Sequence, residues 1–251
     1  LISSRQTVTD LSGHLSPAAP QNSLEELPEQ VATQLLRNLG VKGSDGDLNE
    51  AVRDYGGHAL SLILLGRYLA VAKGGDIRKR DTIELYRAND QRDARTRNAW
   101  NALAAYERWL ASPDGRPADL QALRLVGLFD RPASPDCIAV LRHEPPIDAI
   151  TDRLVPLADD EWNLTLQRLH DAQLIKLNFP EQENAYAPRP EPREVPLDAH
   201  PLVREYFARQ IREQEPEAFE IAHSRLVEHL CRIAPHRPDS LEALEPLYQA
   251  V

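Results

Sequence analysis

The N-terminal part of the chain has the hydrophobic pattern of helices joined by glycine-rich turns. Between Leu27 and Leu39 the apolar residues recur every three or four positions, which is the spacing of one buried helical face. Gly40 is a natural end for that helix. Asp47 is placed to cap a second helix that runs to about Tyr55. Two short helices are therefore predicted before the next glycine pair.

A third and more apolar segment follows. Residues 58–72, HALSLILLGRYLAVA, are apolar around nearly the whole helical circumference. A helix of that kind is buried on most of its faces. The three segments together predict a compact helical bundle over residues 24–90.

The middle of the chain has its predicted elements in the order of a winged helix. The residues 174–179, LIKLNF, alternate as in a strand, and five prolines with several charges over 180–196 predict an extended wing. Helical patterns precede this strand in four segments: 92–111, 118–129, 134–143 and 159–171.

The C-terminal part is predicted to be helical again. One helix follows Pro201 and runs to about Glu213, an amphipathic one covers 216–234, and another begins in 239–251. Paired helices with short turns suggest the start of an α-solenoid. The predicted fold is therefore mainly α: a helical bundle, a winged-helix domain with a small β-wing, and the start of a solenoid.

Composition narrows the classes of partner. The formal net charge is −10, which argues against general affinity for nucleic acid or anionic membranes. Neither a run of 18 apolar residues nor a secretory leader is present, so a cytoplasmic location is expected. The chain contains no methionine and starts at Leu1, so we expect it to be part of a longer polypeptide.

No catalytic or metal-binding motif emerges from the sequence. The glycine-containing segment 40–47, GVKGSDGD, is not a Walker A loop and joins two helices, and no G-x-S-x-G nucleophile turn exists. The histidines are scattered, and Cys137 and Cys231 are far apart. We therefore expect no catalytic residues, no metal site and no disulfide framework in this chain.

The predicted winged helix is too acidic for ordinary DNA binding. Residues 118–207 contain nine Lys or Arg against 16 Asp or Glu, a balance of −7. A major-groove helix needs cations for phosphates and base edges. The predicted recognition helix 159–171 sets one arginine, Arg168, against four acids: Asp159, Asp160, Glu161 and Asp171.

Three short motifs stand at the junctions of the predicted elements. They are Ser3-Ser4-Arg5 after an apolar start, Gly57-His58-Ala59 at the opening of the apolar helix, and Ala199-His200-Pro201, with Asp198 just upstream, at the start of the helix that runs to about Glu213. With the order of modules, these motifs resemble the STAND class of signalling NTPases, in particular bacterial NB-ARC-type proteins with tetratricopeptide-like sensor repeats. The resemblance covers essentially the whole chain.

The resemblance implies nucleotide contacts for the first two motifs. In the family, an arginine at the end of such a strand senses the terminal phosphate, a role that falls to Arg5. A G-L-P motif lies against adenine, which implies a contact by Gly57, His58 and Ala59, with Ala59 in place of the proline. The simpler alternatives are a surface arginine and an ordinary helix start.

The resemblance gives His200 the most specific role. It matches the histidine of the family's Met-His-Asp motif, which reaches the β-phosphate of bound ADP and holds the inactive state. Pro201 stands where the family has its acid, so Asp198 is expected to cap the helix or to orient the imidazole. The simpler alternative is a helix-capping histidine.

The implied function is that of the lid and winged-helix part of an ATP/ADP-dependent switch. ADP or ATP with Mg²⁺ is expected in the intact protein, and no tight binding by this fragment alone. Expected partners are the protein's own nucleotide-binding core and effector domain and a protein or ligand trigger, with an oligomer on activation. A winged-helix transcription regulator and a helical interaction scaffold are the alternatives. The implied domains are the end of the core (1–20), the lid (21–92), the winged helix (93–212) and the first repeats (213–251).

Overall fold

The computed structural model describes residues 26–82, 94–180 and 188–234 of the chain. This part is mainly helical with one small antiparallel sheet, which confirms the predicted fold class. Arg5 and the helix predicted for 239–251 lie outside the described residues. None of the described helices is long and apolar enough to cross a membrane.

The first three helices of the described residues form the predicted bundle. They are α1 (Glu29–Asn38), α2 (Asp45–Asp54) and α3 (Ala59–Ala72). Helix α2 begins one turn earlier than Asp47 predicts, because Ser44 is its N-cap. The Ser44 hydroxyl accepts a hydrogen bond from the Asp47 N–H at 3.2 Å, and the Asp47 carboxylate accepts one from the Ser44 N–H, which is a capping box. A 3₁₀ helix, Ile77–Thr82, follows α3.

Helix α4 (Ala94–Leu110) packs along α3. The rings of Tyr68 and Tyr106 meet edge to face at the interface, with their centroids 5.8 Å apart. Helix α4 also contacts α8, a helix of the C-terminal part (Pro201–Gln214), where Trp100 meets Tyr206 at 5.3 Å. Helix α4 therefore joins the bundle to the rest of the structure through one continuous apolar core.

The winged-helix part has three helices and a short sheet. They are α5 (Pro117–Val126), α6 (Pro135–Leu141), α7 (Asp159–Asp171), β1 (Lys176–Leu177) and β2 (Leu197–Asp198). In the antiparallel register Leu177 lies opposite Leu197, and both are buried. Ala133 pairs with Leu197 on the other side of β2.

The strand predicted over 174–179 is shorter in the structure. Asn178 donates its N–H to the Pro196 carbonyl at 3.1 Å, but Pro196 has no N–H to return. The ladder therefore ends after two residues on each strand.

The chain leaves the sheet into α8 and then α9 (Pro216–Ile233). Helix α9 packs on both α6 and α8. Its Arg225 donates to the carbonyls of Leu141, His143 and Pro145 at 3.3, 2.9 and 2.7 Å. The first helix of the predicted repeat region is thus attached firmly to the winged helix.

Replacing Gly127 with alanine should destabilise the protein, because α5 and α8 approach closely at this residue. A Cβ on Gly127 would lie 2.8 Å from the Ala208 nitrogen and 2.9 Å from the Phe207 Cβ. We expect Gly127→Ala to lower the free energy of unfolding by about 1–3 kcal/mol in urea titrations. The control is Gly46→Ala, where the new Cβ meets only the Ser44 hydroxyl at 3.7 Å. That variant should be neutral or up to ~1 kcal/mol more stable, so equal losses in both would contradict the close approach.

Candidate functional site

The start of α8 is built around the imidazole of His200. His200 is the N-cap residue, and its Nδ1 accepts a hydrogen bond from the Leu202 N–H at 3.2 Å. Its carbonyl accepts from the N–H groups of Val203 and Arg204. Because Nδ1 is an acceptor here, the neutral ring carries its hydrogen on Nε2. The residue is exposed, so this helix start presents an imidazole ring at the surface.

The helix-capping role considered for His200 is therefore confirmed. The cap expected from Asp198 is wrong, since the hydrogen bonds described for its carboxylate go to the Ala199 N–H at 2.8 Å and to Arg204 Nη1 at 2.5 Å. The Arg204 side chain is only 14% exposed and forms an ion pair with Asp198. Asp198 thus fixes the first turn of α8 from the strand side, through Arg204.

Gly57 lies in the turn that ends α2. Gly56 and Gly57 both have positive φ, and their N–H groups donate to the carbonyls of Arg53 and Val52, which forms a Schellman motif. The Gly57 carbonyl accepts from the Leu27 N–H at 3.0 Å, and a Cβ on Gly57 would lie 3.0 Å from the Leu27 oxygen. The glycine is therefore required by the backbone of the turn itself.

His58 and Ala59 begin α3. The Nδ1 of His58 lies 2.8 Å from the Ser61 hydroxyl, and the imidazole provides no cap for the helix. His58 is half-buried, whereas Ala59 is exposed. Of the motif predicted to contact adenine, His58 and Ala59 are thus accessible at the surface, and Gly57 is buried.

The two predicted nucleotide motifs stand at the starts of different helices. Gly57-His58-Ala59 precedes or opens α3, and Asp198 and His200 precede α8. Helix α4 contacts both α3 and α8. The two helices that begin at these motifs therefore both contact α4. Arg5, the remaining residue predicted to contact the nucleotide, lies outside the described residues.

A cavity of about 520 Å³ lies next to the start of α8, between α8, α9 and the end of α5. Pro201 and Arg204 of α8 line it, together with Arg131 and Arg212. His223 also lines the cavity, and its Nε2 is buried without a hydrogen-bond partner in the described residues. Burial, reinforced by the charge of Arg212, lowers the pKa of His223.

This cavity was not predicted from the sequence. One of its basic residues, Arg131, is in the loop after α5, and the others are on the consecutive helices α8 and α9, far later in the chain. None of them belongs to a motif. The Arg131 guanidinium lies 3.0 Å from the carboxylate of its neighbour Asp130, whose pKa it lowers. Apolar walls with a few convergent polar groups are typical of a pocket for a small molecule.

Helix α7, the predicted recognition helix, uses its single arginine for internal packing. Arg168 Nε donates to a carboxylate oxygen of Asp119 on α5 at 3.2 Å, and that carboxylate is only 4% exposed. Asp159 pairs with Arg193, and Glu161 accepts from the Ala158 N–H at 3.0 Å. These three charged groups of α7 thus stabilise the winged helix itself.

A scan of protein families and a search of curated proteins both found nothing that matches this chain. The functional interpretation therefore depends on the residues and their geometry.

Changing His200 should separate its capping function from its ring chemistry. We expect His200→Ala to lower the free energy of unfolding by about 1 kcal/mol, because the Leu202 N–H loses its acceptor. His200→Asn should keep most of the stability, since the asparagine Oδ1 takes the place of Nδ1. Urea unfolding of both variants measures the difference, and His143→Ala, an exposed loop histidine, is the control. Equal stability of His200→Ala and the unchanged protein would contradict the cap.

Proposed function

We propose that this chain is the lid and winged-helix part of a signalling switch that alternates between ADP-bound and ATP-bound states. The proposal rests on the motif order that resembles the STAND NTPases. The observation that supports it best is the exposed His200 imidazole, which caps α8 through Nδ1 and carries its hydrogen on Nε2. The resemblance puts the phosphate-binding core on the N-terminal side of this chain.

His200 is suited to contact a phosphate oxygen. The cap holds the ring in one orientation. A hydrogen bond from an imidazole N–H to an ionised phosphate is charge-assisted and therefore strong. The backbone of α8 contributes less, because Pro201 has no N–H and the next three N–H groups already donate to His200. The side chain of His200, rather than the helix terminus, is therefore the proposed contact with the β-phosphate of ADP.

In the intact protein, bound ADP or ATP with Mg²⁺ provides the phosphate that the His200 imidazole contacts. His58 and Ala59 are the proposed contacts with adenine, and Arg5 is the proposed sensor of the terminal phosphate. Release of the His200 contact on exchange for ATP would let the winged helix move away from the core.

The path from the sensor region to His200 is short. Helix α9, the first helix of the proposed repeats, forms one wall of the cavity next to α8. Arg204 lines the same cavity and pairs with Asp198, two residues before His200. A trigger that displaces α9 would therefore act on the helix start that carries the phosphate contact. The effector domain and an oligomer formed on activation belong to this proposal as well.

DNA binding is not part of the proposed function. The arginine of α7 is bound to the buried carboxylate of Asp119, and the exposed positions of α7 include Asp160, Leu164 and Asp171. A surface of that kind repels phosphates.

Substitution of His200 should release ADP from the intact switch protein. We expect ADP binding to weaken by about 10- to 100-fold in both His200→Ala and His200→Asn, because each lacks the Nε2 donor. The measurement is the ADP that co-purifies with the protein, quantified by chromatography after denaturation, followed by calorimetric titration.

The two variants distinguish phosphate contact from helix capping. His200→Asn keeps an acceptor for the Leu202 N–H, so a loss of ADP in this variant reports on the ring alone. His143→Ala should retain ADP fully. If His200→Asn retains ADP while His200→Ala loses both ADP and stability, the imidazole acts only as a cap and the proposed contact is refuted.

A further inference from the structure

Three potential metal ligands meet at the contact between α6 and α9. Asp136 and Cys137 are neighbours in the first turn of α6, and His229 is on α9. One carboxylate oxygen, the thiol sulfur and one imidazole nitrogen all lie within 4.8 Å of one another. His229 Nε2 and Asp136 Oδ2 are 2.8 Å apart.

The surroundings hold these three residues in place. Cys137 is 1% exposed and His229 is 9% exposed, whereas Asp136 faces solvent. The carbonyl contacts of Arg225, one turn before His229, fix α9 against the end of α6. Two ligands are thus immobilised by packing, and the third gives access from the surface.

We propose that Asp136, Cys137 and His229 form a binding site for a divalent transition metal ion of the zinc class. Zinc takes cysteine sulfur, histidine nitrogen and carboxylate oxygen at about 2.0–2.3 Å, so tetrahedral ligand atoms lie roughly 3.3–3.8 Å apart. The oxygen and nitrogen would separate slightly around the ion, and the thiolate would approach. The site is independent of the proposed switch function.

The proposed site adjoins the cavity beside α8. Cys137 is one of the residues that line this cavity, together with Arg131 and Arg204. Three protein ligands and one open position are typical of zinc sites that bind water or a substrate. An ion here would therefore carry water or another small ligand at its open position.

Metal binding requires a defined redistribution of protons. The Cys137 thiol loses its proton to water and binds as the thiolate. The neutral His229 ring carries its hydrogen on Nδ1 when Nε2 is a ligand. Arg232 Nη2 lies 3.3 Å from that Nδ1, so this exposed side chain must turn away from the ring.

A simpler explanation is that His229 and Asp136 only form a hydrogen bond that joins α9 to α6. That explanation involves two of the three residues and leaves Cys137 as a buried side chain of the hydrophobic core. The two explanations differ in one observable, which is thiolate coordination by Cys137.

Cobalt(II) is a suitable probe because it takes zinc sites and its spectrum reports thiolate ligands. We expect the 251-residue chain, under reducing conditions, to bind one Co²⁺. The complex should show a thiolate-to-cobalt charge-transfer band and tetrahedral d–d bands, and both should disappear when Zn²⁺ replaces Co²⁺. Cys137→Ser should abolish the charge-transfer band. His229→Gln should weaken Co²⁺ binding by at least about tenfold.

The exposed Cys231 provides the matched control. Cys231→Ser should keep the full spectrum, and circular dichroism checks the fold of each variant. Absence of a thiolate band in the unsubstituted chain overturns the proposal without any variant. A band that disappears in Cys231→Ser, or persists in folded Cys137→Ser, overturns it as well.

Discussion

The largely buried carboxylate of Glu107 is the constraint on which the arrangement of the helices depends. Its side chain is 14% exposed, and a carboxylate so far from water needs hydrogen bonds and an opposite charge. Tyr206 of α8 donates to it at 2.6 Å, and Arg124 of α5 lies 3.4 Å from its other oxygen. Arg124 also donates to the Ala149 carbonyl, so four segments share this network.

Helix α8 links that network to His200 and to the cavity. One face places Tyr206 against Trp100 of α4, so the winged helix and the helical bundle share aromatic packing. The first residue before α8 is His200, and the side that faces α9 contributes Pro201 and Arg204 to the cavity. A shift of α8 would therefore move the His200 imidazole and change the shape of the cavity at the same time. Such coupling between two places is what a switch requires.

The local elements were predictable where one residue type has one physical role. The all-apolar stretch of α3 is buried as expected, and the prolines at 201 and 216 begin helices as proline at a first helical position does. The predicted helix caps were wrong where two neighbouring polar residues could each cap the same helix. Ser44 rather than Asp47 caps α2, and His200 rather than Asp198 caps α8, because the competing carboxylates are used by the N-cap backbone and by Arg204.

The sequence by itself determined the mainly helical fold, the order of a winged helix and the acidic character of α7, since periodicity, proline positions and charge are local properties. Only the tertiary structure decided which side chains meet. It pairs Arg168 with Asp119, gathers the arginines of the cavity and brings His229 to Asp136 and Cys137. These partners are tens of residues apart, so their meeting depends on how the helices pack and follows from no spacing along the chain.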